Sequence, residues 1–573
     1  MEDNIYDKTI DLWTSKWDEA LSIWSKYIRL EKPTFCVSEQ EHITYSMKDA
    51  VALIRLTDHK IFISIRNVYK YNLQDYPIET IGHEIGHHVY CPGNISDMAR
   101  LIVRIRNAMP RKEYYSSMIC NLYTDILVND RLFRDRGIRI EKIYLNFKSD
   151  DKLWNFYMRI YEILWGLSAG FLTSIPITPE MEGDAQLANR IIRTFSNDWI
   201  RGAGRFAAVC YSYIFNNDFN VENFSGILDS LKPGTDGALP EGLTDIEEDE
   251  GDLSDIFDDV GAGKSSYSST PREHAVNKQS QGNYRTPFQY GEIIKSLGLN
   301  VKQEDILASY YKERAMPYLI SFPKKITEKS SEPIHEGLDL WDFGSGLEKI
   351  NWMETIFRSP VVIPGYTTFE THYGTDSGFE KEITPIDLDI YIDSSGSMPN
   401  PSVELSYLSL AGVIISLSAL RSGSKVQATL WSGKTQFITT NGFIRDEKKI
   451  FSIITGFFGG STQFPIHILR DTYQNRKKND RKVHILHISD EGIDTMYGND
   501  EKGVSGEKIS EIALEKAGGG GTMVLNLWKD WKAVPKLAFA AKQGWNIYRI
   551  SSWEELINFS KEFVKRNYDD KKK

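Results

Sequence analysis

The sequence predicts a multidomain chain: a helix-rich α+β domain first, a disordered acidic linker next, and a doubly wound α/β domain last. Three observations carry this. Beyond residue 383, buried strand patterns alternate with helical patterns, the signature of a doubly wound parallel sheet. Before about residue 224, apolar residues recur mainly at helical spacing. Between them, residues 236–259 hold eleven acidic side chains and no Lys or Arg. The length of 573 residues suits several domains. The expected boundaries are 1–230 for the first domain, 231–286 for the linker, 287–382 for a connecting region packed on the last domain, and 383–573 for that domain.

Trp13, Trp17, Leu21, Trp24 and Ile28 fall on one helical face and predict a core-facing N-terminal helix. Residues 50–56 and 61–65, joined by Asp58-His59-Lys60, predict a β-hairpin rich in β-branched side chains. A helix follows over 76–90. Pro77 suits its first turn, and Cys91-Pro92-Gly93-Asn94 ends it. This helix contains His83-Glu84-Ile85-Gly86-His87-His88. Histidines at i and i+4 share a face, and their separation suits two imidazole nitrogens roughly 2 Å from one zinc ion. Glu84 is not a ligand and is placed to take a proton from bound water. His88 reads as an outer or surface histidine. A further helix puts Asn121, Asp125 and Asn129 on one face, with Leu122, Ile126 and Leu127 as its apolar residues. A buried polar stripe of this kind is costly unless it serves a purpose. Tyr90, Tyr114, Tyr115 and Tyr123 are all candidate oxyanion donors.

The formal net charge of −11 equals the charge of the 236–259 segment, so the remainder is about neutral. No broad basic surface is available to neutralise phosphates, which argues against nucleic-acid binding. Lys571-Lys572-Lys573 reads as a solvated tail. Cys36, Cys91, Cys120 and Cys210 form no Cys-x-x-Cys pair and suggest no disulfide framework. The N-terminus lacks a signal-peptide pattern and no apolar run is long enough for a bilayer, so a cytoplasmic, membrane-free protein is expected. Gly261-Ala-Gly-Lys264-Ser265 falls short of a phosphate loop, because Asp258 stands where the first Gly belongs. In the connecting region, Trp341, Phe343, Trp352 and Phe357 predict burial.

Residues 387–392 form a buried strand that runs into Asp393-Ser394-Ser395-Gly396-Ser397. Gly459-Gly460-Ser461-Thr462 follows a helix. A second buried strand, 483–489, runs into Asp490. Hydroxyls and carboxylates at strand carboxyl ends suit a hard divalent cation, which takes oxygen ligands in the crevice of an open sheet. Further strands are expected over 425–431, 522–528 and 545–550, and helices over 507–516 and 553–565.

Two families are resembled. Asp393, Ser395, Ser397, Thr462 and Asp490, in this order, resemble the metal-ion-dependent adhesion site (MIDAS) of von Willebrand factor A (vWA) domains, which are Rossmann-like. The resemblance covers about residues 383–570. It implies Mg2+ or a similar cation whose open position takes a carboxylate from a partner protein. A strand followed by His-Glu-x-x-His resembles the zincin metallopeptidases, whose edge strand binds extended peptide by strand addition. The Asn121-x-x-x-Asp125-x-x-x-Asn129 helix resembles that of metallopeptidase-like proteins that accompany vWA domains. That resemblance implies Asp125 as the third zinc ligand with His83 and His87, and the two asparagines behind them. Better-known zincins use Glu or His there, and Asp130 is the alternative. Intracellular vWA proteins often work with MoxR-type AAA+ ATPases, which implies such a partner. The expected function is a zinc-dependent metallopeptidase with Glu84 as base, acting on a peptide or protein. The alternative is a non-enzymatic vWA adaptor or scaffold, chelatase-like or an assembly factor, with a structural zinc.

Overall fold

The computed structural model describes residues 2–45, 47, 49–215, 231–232, 239–247, 249–250, 284–320, 324–327, 330–378, 382–477 and 480–568. The 261–265 segment, the 571–573 tail and most of the expected linker lie outside these residues. The chain forms two compact units, 1–313 with 402–404, and 314–401 with 405–573. Among the described residues no helix is long and apolar enough to cross a membrane.

In the first unit the expected N-terminal helix is two, α1 (Glu2–Ser15) and α2 (Trp17–Trp24). Trp13, Trp17 and Trp24 are buried across the break. Two of the indoles find backbone acceptors, Trp13 on the Gln74 carbonyl at 3.0 Å and Trp24 on the Gly82 carbonyl at 2.7 Å, as buried indoles require. A small mixed sheet runs in the order β1 (Thr34–Cys36), β3 (Lys60–Ser64), β2 (Ala52–Arg55), β4 (Leu231–Lys232). Strands β2 and β3 form the antiparallel hairpin, and β4 lies parallel to β2. Helix α3 (Pro77–Val89) packs between β2 and α2. Gly86 makes this possible, since a methyl there would overlap Val128 and Trp24.

The longer helices of the unit that follow include α4 (Ile95–Ala108), α5 (Ser116–Arg136), α6 (Lys152–Trp165), α7 (Pro179–Thr194), α8 (Trp199–Phe215) and α9 (Pro287–Ser296). Helix α5 is central: it packs on α3, α4, α6 and α8, and residues 119–130 are buried without interruption. The polar stripe at Asn121, Asp125 and Asn129 is therefore internal. Part of the expected linker is packed rather than solvated. Leu243 is buried, and Glu247 and Asp249 pair with Arg104 at 2.6 and 2.8 Å. Glu247 also reaches Arg100, and Asp249 reaches Arg201 at 3.1 Å. The Arg104 guanidinium holds the Asp249 carboxyl below the usual range. Basic residues on α4 thus give these acids partners that composition alone does not reveal.

In the second unit, β5 (Lys324–Thr327) pairs with β8 (Glu382–Pro385), and β6 (Ser330–Leu340) with β7 (Phe369–Gly378). Of the four aromatics expected to be buried here, Trp341, Phe343, Trp352 and Phe357, burial holds only for Trp341, at 4% exposure. Phe343, Trp352 and Phe357 are 84%, 49% and 81% exposed. They sit on the 341–368 hairpin tip, whose small core of Trp341, Ile350, Thr355 and Thr368 is too small to cover them. The main sheet follows in the order β11 (Phe437–Thr439), β10 (Val426–Trp431), β9 (Asp387–Asp393), β12 (Val483–Ser489), β13 (Gly518–Asn526), β14 (Trp545–Ile550). It is parallel except at β11, an antiparallel edge too short to announce itself by pattern. One face packs on α10 (Tyr407–Arg421), where Gly412 allows close approach to Ile392. On the other face Tyr391, Ile485, Met523 and Trp545 share a core with α12 (Ile466–Tyr473) and α13 (Gly506–Ala517), while α11 (Glu447–Ile454) packs on α10. Buried between Tyr391 and Tyr473, the Asp389 carboxylate accepts both hydroxyls at 3.0 and 2.9 Å, and burial pushes its pKa up to about 7.

Candidate metal centres

The first centre forms where α3 crosses α5. His83 and His87, one turn apart on α3, face Asp125 on α5. The two Nε2 atoms stand 3.1 Å apart, and Asp125 Oδ1 lies 3.2 Å from His87 Nε2 and 3.6 Å from His83 Nε2. Two ligand atoms on one tetrahedral zinc are about 3.3 Å apart, so these spacings fit a shared ion. The second hydrogen bond of each ring fixes its orientation. His87 Nδ1–H donates to the Cys91 carbonyl at 2.9 Å, and His83 Nδ1–H donates to Asn129 Oδ1 at 2.7 Å. Both Nε2 lone pairs then point at one another, an arrangement that calls for a shared cation. Burial, followed by the neighbouring His87, lowers the His83 pKa to about 4, which keeps its ring neutral. Asn129 is anchored in turn by donating to the Tyr144 and Tyr161 hydroxyls at 2.8 and 2.9 Å. Asp130, the alternative ligand, is bound to Arg134 at 2.7 Å. His88 leaves the group and meets His59, with Nδ1 atoms 3.1 Å apart.

Glu84 sits beside this triad at 2% exposure. The Ile54 N–H holds its carboxylate, and its Oε2 has no hydrogen-bond partner. Burial, with Asp125 adding to it, raises its pKa well above the usual carboxylate range. A dication among the three ligand atoms would oppose that shift and favour the ionised form. A cleft opens over His83, Glu84 and Asp125, with apolar walls from Val51, Leu73, Ile140, Ile143 and Phe147. Tyr144 also lines it. Of the tyrosines expected as oxyanion donors, Tyr90 is bonded to the Ser196 carbonyl, Tyr123 to the Trp199 carbonyl, and Tyr114 is exposed. None of the four lines the cleft. Tyr144 was missed because it comes from a short helix with no motif around it. The outer edge of β2 is partly taken, since Leu231–Lys232 pairs with Ile54 and Arg55. Strand addition there would meet the chain's own backbone.

The second centre lies at the carboxyl ends of β9 and β12, where strand order reverses and open sheets hold their ligands. Asp393 Oδ1 accepts the Ser395 N–H at 2.8 Å, and Oδ2 accepts the Ser489 hydroxyl at 2.5 Å. Ser395 Oγ is 3.2 Å from Ser397 Oγ, which donates to Asp490 Oδ2 at 2.9 Å. The 458–460 loop is bound to this turn: Phe458 N–H donates to Ser394 Oγ, and Gly396 N–H donates to the Gly460 carbonyl at 2.9 Å. Thr462 sits against Gly492, whose N–H donates to Asp490 Oδ1 at 2.7 Å, and a side chain at Gly492 would overlap the threonine. Hydrogen bonds thus link Ser397 to Ser395 and Asp490, and Asp393 to Ser395; Thr462 stands beside Asp490 across Gly492, and Ser489 joins the group unforeseen. Burial, resisted by hydroxyl and amide donors, pushes the Asp393 pKa up to about 6, and Asp490 adds to the rise. Two carboxylates among hydroxyls, with mutual repulsion, suit a hard divalent cation with oxygen ligands.

No family model matches this chain, and no curated protein matches it. Among solved structures it is similar to conserved hypothetical protein BatB from Bacteroides thetaiotaomicron, at 16% identity and a TM-score of 0.21, over 31% of this chain and 98% of that one. It is also similar to an aerotolerance-related membrane protein from Bacteroides fragilis, at 12% identity and a TM-score of 0.21, over 32% of this chain and 98% of that one.

Proposed function

We propose that the first unit is a zinc-dependent, metallopeptidase-like hydrolase. The second unit is then a vWA module whose Mg-type MIDAS binds a carboxylate of a partner or substrate, in work with a MoxR-type AAA+ ATPase. The observation that carries the hydrolytic reading is Glu84: a buried carboxylate, one oxygen unpartnered, beside three convergent ligand atoms and at the floor of a cleft. A structural zinc site needs no such group, and an unpaired buried carboxylate oxygen is costly to keep.

His83, His87 and Asp125 would hold zinc, and Asp393, Ser395, Ser397, Thr462 and Asp490 would hold magnesium. Zinc supplies Lewis acidity and a nucleophile at neutral pH. Glu84 accepts the proton released in the attack on a peptide carbonyl and returns it to the departing amine, with Ile54 N–H fixing its carboxylate. Asn129 and the Cys91 carbonyl keep both imidazoles in the ligating tautomer. The apolar walls exclude water and suit an apolar substrate side chain.

The adaptor reading is favoured by one observation, the Leu231–Lys232 pairing that occupies part of the β2 edge. One experiment separates the two. A library of quenched fluorescent peptides is incubated with wild type and Glu84→Gln, and zinc is measured in both. The hydrolase reading expects about one zinc in each protein and cleavage by wild type alone. Zinc in both with cleavage by neither supports the adaptor.

A further inference from the structure

The hairpin tip at 341–368 has an inverted surface. Its helix, Trp352–Arg358, turns Thr355 inward, where the hydroxyl accepts the Phe369 N–H at 3.0 Å. Trp352, Met353, Ile356 and Phe357 face outward and are 49–81% exposed. Phe343 and Tyr366 extend the apolar area. Phe343 lies against Gly365 in the neighbouring turn, and Trp352, Met353, Ile356 and Phe357 share one face of the helix. Folding ordinarily buries the apolar side of a helix, and a helix face of exposed large apolar side chains marks an interaction site.

The charge around it narrows the occupant. Residues 334–374 carry six carboxylates against one lysine and one arginine. That arginine, Arg358, is already engaged by Glu354 at 3.4 Å and lies over the Phe369 ring at 5.1 Å. His372 is within 4 Å of both Glu336 and Asp339. An anionic membrane leaflet would repel this rim. A second copy meeting the same patch would set acid against acid. We infer that the 341–368 tip docks a protein partner through an amphipathic helix whose apolar stripe is flanked by Lys and Arg. The exposed aromatics and methionine supply the buried centre of that interface, and the carboxylates its complementary rim.

The test uses the full chain and two labelled 18-residue helical peptides with the same leucine stripe, one flanked by lysine and one by glutamate. Fluorescence anisotropy measures binding, and hydrogen exchange maps it. The lysine peptide should bind and protect 341–368. Its affinity should fall roughly tenfold or more for the Phe343→Ser/Phe357→Ser double variant, and the glutamate peptide should be weaker by a similar factor. Equal binding of both peptides, or binding unaffected by the substitutions, overturns the proposal. So does protection of the tip in the free chain that fades on dilution, which means self-association, or protection by phosphatidylcholine–phosphatidylserine vesicles, which means a membrane. If the double variant melts lower than wild type, Ile356→Gln is read in its place.

Discussion

At the scale of residues, the proposed zinc centre depends on which acid of α5 faces α3. Asp125 and Asp130 differ by five positions, so they lie on different sides of the helix. Asp125→Asn should therefore release zinc at least tenfold more readily, whereas Asp130→Asn should leave zinc affinity unchanged and act only through Arg134. Metal content after dialysis against a graded chelator reads both, and equal zinc in the two variants would sink the assignment. Asp389 makes a separate prediction in the second unit. Its ordinary pKa of 3.8 rises to about 7 when buried. The folded state then binds the proton more tightly than the unfolded state. The stabilising contribution is full below about 4 and is lost as pH rises through about 7. Asp389→Asn should flatten this slope and stabilise the unit at pH 8, by on the order of 1–3 kcal/mol. Denaturant melts at pH 5 and pH 8 check it; a variant that keeps the wild-type slope excludes Asp389 as the cause.

At the scale of elements, the His-Glu-x-x-His helix serves packing as well as the proposed site. Gly86 lies between the ligands because α3 must approach both Val128 of α5 and Trp24 of α2. Gly86→Ala should lower stability by about 2–3 kcal/mol and loosen zinc together, through a displaced α3. A thermal melt with parallel zinc titration checks this, and an unchanged melting temperature would refute the packing account. The i, i+4 pairing of His83 and His87 was legible in the sequence because helix geometry alone sets it. The same holds for the Asn121, Asp125, Asn129 face. Tyr144, Ser489 and the Cys91 carbonyl were not legible, since each reaches its site through a loop or a neighbouring element. The exposed Phe343 and Phe357 were misread because an aromatic residue signals burial only where enough core surrounds it.

At the scale of the whole molecule, two compact units each hold one candidate centre, so metals should act on them separately. Removing zinc should lower the melting transition of the first unit, while added magnesium should raise that of the second. A ligand at one hundred times its Kd stabilises by about 2.7 kcal/mol, which calorimetry resolves. Asp393→Ala should erase the magnesium shift and leave the zinc effect intact. A magnesium shift of equal size in that variant would refute the second centre.

The alternation that builds the main sheet, the spacing of His83 and His87, and the ligand-type residues after β9 and β12 are local properties, and the sequence alone determined them. Hydrogen-bonding period and side-chain chemistry act within a few residues, so one chain displays them directly. Only the tertiary structure decided that Asp125 rather than Asp130 meets the histidines, that Glu84 is buried with an oxygen to spare, and that Glu247 and Asp249 find arginines. It also decided that the hairpin tip keeps its apolar side exposed. Each of these depends on which surfaces meet across long separations in the chain, and burial is settled by that packing rather than by the identity of the residue.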